Sequence, residues 1–301
     1  LQGHFAIERQ ESLARKISRD IGFDFEKGRM DVSVHPFCGG SHPTDVRITT
    51  RYKDTHFINS LYAVIHETGH ALYEQGRPYA WGDVPAAESL TMGIHESQSL
   101  FWERMIAQGK PFCTHYFAAI REAFPDHLRN VTIDAFYRAL NTCKPSFIRV
   151  EADEVTYPLH IILRYEIERG LFDGTMQVDE LPQIWNELMQ QYLGIIPPSD
   201  VLGVLQDSHW GSGAFGYFPS LGAMYACQFY KTLLRDQPDT EDQITAGNFA
   251  PTKAWLNEKI HRQGRLYAPH ELVQRVTGES LNPDHFLSHL QHKCRDIYGL
   301  G

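Results

Sequence analysis

The chain has 301 residues, of which 42% are hydrophobic and 22% charged, and its formal net charge is −9 at pH 7. This composition is ordinary for a globular protein, and the acidic balance argues against nucleic acid or an anionic membrane as the main partner. No apolar run approaches the roughly 18 residues of a membrane helix, and no low-complexity linker divides the chain. The sequence therefore predicts one domain over residues 1–301.

The first predicted element is a helix over residues 5–21. It is amphipathic and charged, and it lacks the apolar core of a signal peptide. Because the sequence starts at Leu1, next to this helix, we expect further N-terminal helices and any targeting signal to lie outside it. The five cysteines are widely spaced, without a C-x-x-C pair, which is typical of free thiols in a reducing compartment. We therefore expect a cytoplasmic protein.

Two short strands are predicted next, at residues 30–34 and 45–52. Both segments alternate apolar and polar side chains and are rich in β-branched residues. The connection between them, HPFCGGSHPT, is rich in Gly and Pro. The sequence therefore predicts a small antiparallel β element made of these two strands.

The following predicted helix, residues 55–75, contains the segment YAVIHETGHALY. On a helix His66 and His70 are separated by one turn and project from the same face. Glu67 points about a quarter-turn away, at roughly 100° per residue. This arrangement suits two nitrogen ligands on one metal ion, with a carboxylate beside the ion that need not coordinate it.

A simpler interpretation is that these histidines are solvated or hydrogen-bonded, since a short H-E-x-x-H pattern can arise by chance in a chain with 16 His. The apolar neighbours of the segment favour the metal. Burying three polar groups among residues such as Val64, Ile65 and Leu72 is costly unless something satisfies them. The segment therefore predicts a zinc site.

A catalytic zinc needs a third protein ligand and an open position. The third histidine of the metzincin pattern is absent, so a residue of the next predicted helix, residues 85–108, is expected to complete the site. The candidates on it are Glu88, Glu96, Glu103 and His95. Glu96 is preferred because it lies among apolar neighbours and Glu88 is the second choice, with a structural salt bridge as the alternative for either.

Most of the remaining chain has helical periodicity. Helices are predicted at residues 114–124, 131–142, 155–170, 180–193, 221–235, 251–263, 269–276 and 283–297. Two stretches, residues 143–155 and 203–220, do not fit a helix. The second is at once Gly-rich, aromatic and polar, which is typical of a loop that lines a site. The fold class predicted is mainly α, with a minor β element.

Several motifs, taken in chain order, resemble those of the carboxypeptidase Taq family of zinc metallocarboxypeptidases. HETGH is followed by HESQ, and the other hallmarks are HPF at 35–37, DVRIT at 45–49, IRVEAD at 148–153 and GVLQDSHW at 203–210. The resemblance implies a helical zincin-like fold related to neurolysin and angiotensin-converting enzyme. It also implies one zinc or cobalt ion per chain, a homodimer, and peptide substrates with a free C-terminus.

The resemblance further implies roles for single residues. His66, His70 and Glu96 match the metal ligands, and Glu67 matches the general base. Arg149 matches the residue that holds the C-terminal carboxylate of the substrate, which suits a bidentate guanidinium. A structural ion pair of Arg149 with a carboxylate of its own motif, Glu151 or Asp153, is the alternative.

His209 and Tyr217 match hydrogen-bond donors that face the reacting carbonyl group. His35 and Arg47 match positions near the substrate, although Arg47 could equally anchor its strand through Asp45. Two other functions stay open: a zinc oligopeptidase or endopeptidase with the same helix, and a non-catalytic, zinc-stabilised helical module that binds peptides. The glutamate of HETGH counts against the second, because a non-catalytic module has no need of a base.

Overall fold

The structure is a computed structural model that describes residues 3–206 and 218–300. It is mainly helical and divides into two compact units. The first unit comprises Leu1–Leu140 and Leu221–His289, and the second comprises Asn141–Ser220 and Leu290–Gly301. In the part of the chain that is described, no helix combines the length and the apolar character needed to cross a membrane.

A three-stranded sheet follows the first helix, α1 (Ile7–Asp20). Its strands are β1 (Gly28–Val32), β2 (Phe37–His42) and β3 (Asp45–Thr50), in the order β1-β3-β2. Strands β1 and β3 are parallel, whereas β2 and β3 are antiparallel. The sheet lies beside the helix that carries HETGH, since β2 and β3 both contact that helix.

The predicted antiparallel pairing of the two outer segments was wrong, because the connection between them is itself a strand. In the sheet, β3 lies between β1 and β2. The chain reverses direction once from β1 to β2 and again from β2 to β3, so β3 runs parallel to β1. The sequence did not predict this strand because the connection is rich in glycine, which is depleted in strands. Gly40 is needed there: its φ is 154°, and a Cβ atom would collide with the carbonyl oxygen of Asp45.

Thirteen α-helices are present in the described residues. After α1 they are α2 (Ile58–Gly76), α3 (Met92–Leu100), α4 (Lys110–Ala123), α5 (Pro125–Leu128), α6 (Ile133–Leu140), α7 (Tyr157–Phe172), α8 (Leu181–Leu193), α9 (Phe218–Asp236), α10 (Thr240–Thr245), α11 (Ala250–Lys259), α12 (Pro269–Thr277) and α13 (Asp284–Tyr298). A π-helix, Phe101–Ala107, continues α3 directly.

The predicted helix over residues 85–108 is therefore three different elements. Residues 85–87 form a single 3₁₀ turn, α3 begins only at Met92, and residues 101–107 are wound as the π-helix. Other ends agree with the sequence. α2 ends at Gly76, and Gly194 takes the left-handed conformation, with φ of 70°, after the last residue of α8.

Helix α2 is the centre of the first unit. It contacts α1, α3, β3 and the π-helix, and its apolar side chains fill the space between them. The buried ones include Leu61, Val64, Ile65, Ala71 and Leu72. Because α2 is covered on several sides, the polar groups of HETGH are held in a packed interior and not on an exposed helix face.

The second unit has a smaller core, formed where α7 packs against α8. Its buried side chains include Leu163, Ile167, Trp185, Met189 and Leu193. Lys293 of α13 forms an ion pair of 2.6 Å with Glu154, and both side chains are nearly buried. This ion pair fastens the last helix to the segment that precedes α7.

Candidate metal centre

The two histidines of α2 converge with a glutamate of α3. The Oε2 atom of Glu96 lies 3.6 Å from Nε2 of His66 and 3.2 Å from Nε2 of His70. One ligand atom from each of the three residues lies within 4.8 Å of the others. The three side chains that the sequence predicts as metal ligands therefore lie together and form one candidate metal site.

The spacing fits a tetrahedral ion. Zinc bonds to histidine nitrogen and carboxylate oxygen are about 2.0–2.2 Å long, so two ligand atoms on one tetrahedral ion lie about 3.4 Å apart. The distances of 3.2 and 3.6 Å observed here bracket that value. Two imidazoles and one carboxylate also leave a fourth position open, as a catalytic site requires.

Two glycines allow the glutamate to come this close. A Cβ atom on Gly69 of α2 would lie 2.6 Å from the backbone oxygen of Gln98, so α3 rests directly on the backbone of α2. On its other side, a Cβ atom on Gly222 of α9 would lie 2.6 Å from Cγ of Glu96. The segment that bears the third ligand is thus held between two helices at positions where only glycine fits.

Each histidine presents its Nε2 atom to Glu96, so its Nδ1 atom faces away. The Nδ1 atom of His66 lies 2.7 Å from Oε2 of Glu103, a residue of the π-helix. The Nδ1 atom of His70 lies 2.6 Å from Nδ1 of His95, whose Nε2 is 2.8 Å from Oε1 of Glu74. Both rings are therefore hydrogen-bonded on the side opposite the candidate metal position.

These contacts decide between the candidate third ligands. Glu103 and His95 lie behind the histidines and face their Nδ1 atoms, not the metal position. Glu88 is half-exposed and forms an ion pair of 2.7 Å with Arg265, which is the structural alternative named for it. Glu96 alone among the four lies within the candidate group of the described residues. Glu103 and His95 were considered from the sequence as candidates for the third ligand. Their contacts with the Nδ1 atoms of the two histidines were not predicted.

Burial and neighbouring charges together set the pKa values of the three candidate ligands. Burial disfavours the charged form of Glu96, yet the neighbouring histidines hold the pKa of Glu96 well below its usual value. Burial lowers the pKa of His70 to about 4. For His66, burial acts in the same direction, but Glu96 and Glu103 together raise its pKa well above the usual value.

Glu67 follows His66 on α2 and is 7% exposed. Burial raises the pKa of Glu67 to about 7, with the positive charge of His66 opposing the rise and the negative charge of Glu96 adding to it. A carboxylate whose pKa lies near neutrality can both accept and return a proton at physiological pH.

The two residues expected near a substrate, Arg47 of β3 and His35 of the connection before β2, are exposed. Arg47 donates two hydrogen bonds to Asp45, from Nε at 3.0 Å and from Nη2 at 2.9 Å. This bidentate contact is the strand-anchoring alternative considered from the sequence. His35 lies between β1 and β2 with an exposed side chain, and its backbone N–H donates to the hydroxyl of Ser33.

Arg149 belongs to the second unit, where its Nη1 donates a hydrogen bond of 2.8 Å to the hydroxyl of Tyr157. The backbone N–H of Arg149 donates to Oε1 of Gln206 at 3.0 Å. Asp153, one of the two carboxylates considered as a structural partner beside Glu151, accepts hydrogen bonds from the backbone N–H groups of Val155 and Thr156 just before α7. His209 and Tyr217 lie outside the described residues.

The chain is similar in sequence to a known family of proteins and to several of its members. A family model for the carboxypeptidase Taq (M32) metallopeptidases matches residues 1–294. The chain is 45% identical over 296 residues to carboxypeptidase 1 of Bacillus subtilis, and 40% identical over 297 residues to thermostable carboxypeptidase 1 of Thermus thermophilus. Each alignment covers 98% of this chain.

A solved structure, that of the M32 carboxypeptidase from Deinococcus radiodurans, is similar with a TM-score of 0.96 at 40% identity, over 99% of this chain and 60% of that one. The chain spans less than two thirds of the relatives it matches, 59% of the Bacillus protein and 58% of the Thermus protein. The likeness therefore extends over nearly all of this chain, but over only part of each relative.

Proposed function

Because this chain belongs to the carboxypeptidase Taq family of metallopeptidases, we propose that it forms the metal-binding part of an enzyme that removes C-terminal residues from peptides. The observation that carries the proposal is the group of two imidazoles and one carboxylate, on α2 and α3, within a chain matched by the family model over residues 1–294.

The metal is proposed to be zinc, with cobalt as the alternative, at one ion per chain. A ligand set of His66, His70 and Glu96 suits zinc, which binds nitrogen and carboxylate oxygen in catalytic sites. When bound, such an ion supplies a Lewis acid that makes water more acidic and polarises a carbonyl oxygen. A cytoplasmic location and a homodimer are proposed with it, supported by the free cysteines and by the family resemblance respectively.

The chain's own groups would divide the remaining work. Glu67 is proposed to take the proton of the attacking water and to deliver it to the nitrogen of the leaving amine. His209 and Tyr217 are proposed to donate hydrogen bonds to the developing oxyanion. His35 and Arg47 are proposed to lie along the substrate, although the guanidinium of Arg47 would have to exchange its contact with Asp45 to bind it directly.

Arg149 is proposed to bind the C-terminal carboxylate of the substrate and so to make the enzyme an exopeptidase. A guanidinium is permanently charged and can hold a carboxylate with two parallel hydrogen bonds. The support in the second unit is the contact of Nη1 with Tyr157 and the anchoring of the Arg149 backbone by Gln206. Both contacts restrain the arginine before any substrate arrives.

The test compares pairs of peptides that differ only in having a free or an amidated C-terminus, incubated with the zinc-loaded protein and followed by mass spectrometry. We expect the free peptides to lose residues from the C-terminus and the amidated ones to persist. Equal cleavage of both at internal bonds would instead support a zinc endopeptidase.

An Arg149→Ala variant tests the clamp from the protein side. Amidation and Arg149→Ala remove the same contact, so each alone should lower kcat/KM sharply and both together should cost little more than one. Arg169→Ala, which removes an exposed arginine of α7, is the matched control. Additive losses from the two changes would show that Arg149 acts elsewhere.

A further inference from the structure

The hydrogen-bonding partners behind the two histidines are not interchangeable. His66 meets a carboxylate directly, because its Nδ1 lies 2.7 Å from Oε2 of Glu103. His70 reaches a carboxylate only through a second imidazole, that of His95, which in turn contacts Glu74. The two ligands thus differ in what lies behind them, although both present Nε2 to the same oxygen of Glu96.

We propose that Glu103 and the His95–Glu74 pair are positioning residues, which fix the ring orientation of the two histidine ligands and hold their Nδ1–H groups when each Nε2 binds the metal. The inference rests on the metal centre proposed above. It assigns to these three residues no contact with the metal or the substrate. Their task is to keep a proton on each Nδ1 atom, so that each Nε2 atom offers its lone pair.

The contact of Glu103 with His66 has one chemically consistent form in the metal-loaded protein. A carboxylate only accepts, so Nδ1 of His66 must donate, and Nε2 is then the free base that a metal ion requires. Glu103 is held in place by its helix: it lies in the π-helix, whose wider turn follows α3 without a break. Its side chain is 18% exposed, so water competes little for the contact.

The contact between His70 and His95 is chemically consistent only if two N–H groups donate in succession, from His70 to His95 and from His95 to Glu74. If His70 uses Nε2 for the metal, its Nδ1–H donates to Nδ1 of His95, and the proton of His95 sits on Nε2. That N–H then donates to Glu74 at 2.8 Å. The other oxygen of Glu74 lies 3.1 Å from Nε of Arg77, which keeps the carboxylate charged and in place. Every donor in the chain from His70 to Glu74 therefore has an acceptor.

Because the two arrangements differ, we expect the removal of Glu103 and the removal of Glu74 to lower the metal affinity to different extents. Carboxylates behind metal-bound histidines typically contribute about 10–100-fold to affinity. Glu103 contacts its ligand directly, so its removal should reach the upper part of that range. Glu74 acts across an intervening imidazole, so its removal should have a smaller effect, about 10-fold or less.

The experiment measures zinc dissociation constants by competition with a chromophoric chelator. The variants are Glu103→Gln, which keeps the size of the side chain but removes its charge, Glu103→Ala, and Glu74→Gln. Glu154→Gln is the matched control, since it removes a buried, ion-paired carboxylate of the second unit. We expect Glu103→Ala to bind zinc about 100-fold more weakly than wild type, Glu103→Gln to lie between, and Glu154→Gln to match wild type.

A second measurement separates positioning from general destabilisation. In the zinc-loaded protein, nitrogen-15-edited proton spectra of the imidazoles report the hydrogen bond that each Nδ1–H donates. In wild type we expect the Nδ1 protons of both ligands to resonate far downfield and to exchange slowly with water. In Glu103→Ala the Nδ1 proton of His66 should move upfield and exchange faster, whereas that of His70 stays unchanged. A variant that is merely less stable would not shift one ring selectively.

The outcomes distinguish this inference from the proposed function. A wild-type protein that binds no zinc would overturn both together. If wild type binds zinc and the Glu103 variants bind it equally well, with an unaltered signal from the Nδ1 proton of His66, the metal centre stands and the positioning role is wrong. Should Glu103→Ala fail to fold, the near-isosteric Glu103→Gln still provides both readouts.

Discussion

At the scale of single residues, Glu67 combines burial with a place beside the candidate metal ligands. Its carboxylate is 7% exposed, and burial raises its pKa to about 7. A base contributes through its ability to accept a proton, which an amide of the same shape lacks. We therefore expect Glu67→Gln to keep the fold and the zinc, and to lose turnover by about 10²–10⁴-fold.

The measurements that check this are zinc content by atomic absorption and kcat on a peptide with a free C-terminus. A loss of zinc along with the activity would indicate that Glu67 is a ligand. Turnover within a few-fold of wild type would show that another group takes the proton.

His261 offers a second prediction at this scale. It is fully buried, and its ring nitrogens lie 2.7 Å from Oδ1 of Asn257 and 2.9 Å from Oε1 of Gln98. Burial lowers the pKa of His261 to about 3. The unfolded chain takes up this proton near pH 6.5 but the folded chain does not until about pH 3, so acid favours unfolding between these values.

We expect the metal-free protein to lose up to about 1.4 kcal/mol of unfolding free energy per pH unit below pH 6.5 through this one residue. The check is urea unfolding at pH 7, 6 and 5, in wild type and in His261→Gln, with chelator present throughout. The variant should show a shallower dependence on pH. His270→Gln, which removes an exposed histidine of α12, should keep the wild-type dependence, and parallel curves for wild type and His261→Gln would contradict the prediction.

The ligand residues were accessible to sequence reasoning for a physical reason. The i, i+4 spacing fixes His66 and His70 on one helix face, and an unpaired carboxylate among apolar neighbours pointed to Glu96. The contact of Glu103 with His66 was not predictable from the sequence, because it depends on where the π-helix turns that side chain. No local pattern in the sequence announces a π-helix.

At the scale of elements, the contact of α2 with α3 depends on Gly69. A Cβ atom there would lie 2.6 Å from the backbone oxygen of Gln98, and a backbone atom cannot move aside cheaply. We expect Gly69→Ala to push α3 away from α2, and with it Glu96 from the two histidines. Zinc affinity should fall by at least about 10-fold, and stability by about 1–3 kcal/mol, the usual cost of overpacking.

Gly93 provides the matched control within the same pair of helices. A Cβ atom on it would meet Leu221 and Tyr225 at 3.6 Å, which is ordinary van der Waals contact. Since Ala is a better helix former than Gly, Gly93→Ala should be neutral or stabilising by up to about 1 kcal/mol. Thermal unfolding and chelator competition on both variants provide the check, and equal behaviour of the two would refute the close-packing account of Gly69.

Some secondary-structure elements were predicted from the sequence and others were missed. The helices with clear periodicity, α2 and α8 among them, agree closely with the sequence, down to the glycine after α8. Strand β2 was missed, because its Gly-rich sequence has no strand pattern and its pairing with β3 is specified by tertiary contacts. The parallel pairing of β1 with β3 follows from that missing strand.

At the scale of the whole molecule, the candidate ligands all belong to the first unit. A metal that binds the folded state alone stabilises it by mass action, about 2.7 kcal/mol when free zinc exceeds its dissociation constant 100-fold. We therefore expect zinc to raise the midpoint of thermal unfolding, and removal of zinc by a chelator to reverse the rise.

Calorimetric scans with and without zinc test this, with His70→Ala as the variant that should lose the effect. Hydrogen exchange adds a spatial readout, since zinc should slow exchange in α2 and α3. A midpoint that rises equally in wild type and His70→Ala would mean that zinc binds elsewhere. The same scans test the prediction of one domain over residues 1–301. A single cooperative transition would support one domain, and stepwise unfolding would contradict it.

The π-helix after α3 makes the count of residues in this region matter as much as their identity. Glu96 and Glu103 are separated by seven positions, and the second of them contacts His66 from the wider turn of Phe101–Ala107. Deleting one residue between them, with the winding of the segment otherwise kept, would turn Glu103 by about 100° about the helix axis. An insertion or deletion here, which leaves HETGH and HESQ intact, would thus detach one histidine from its support while every recognisable motif survived.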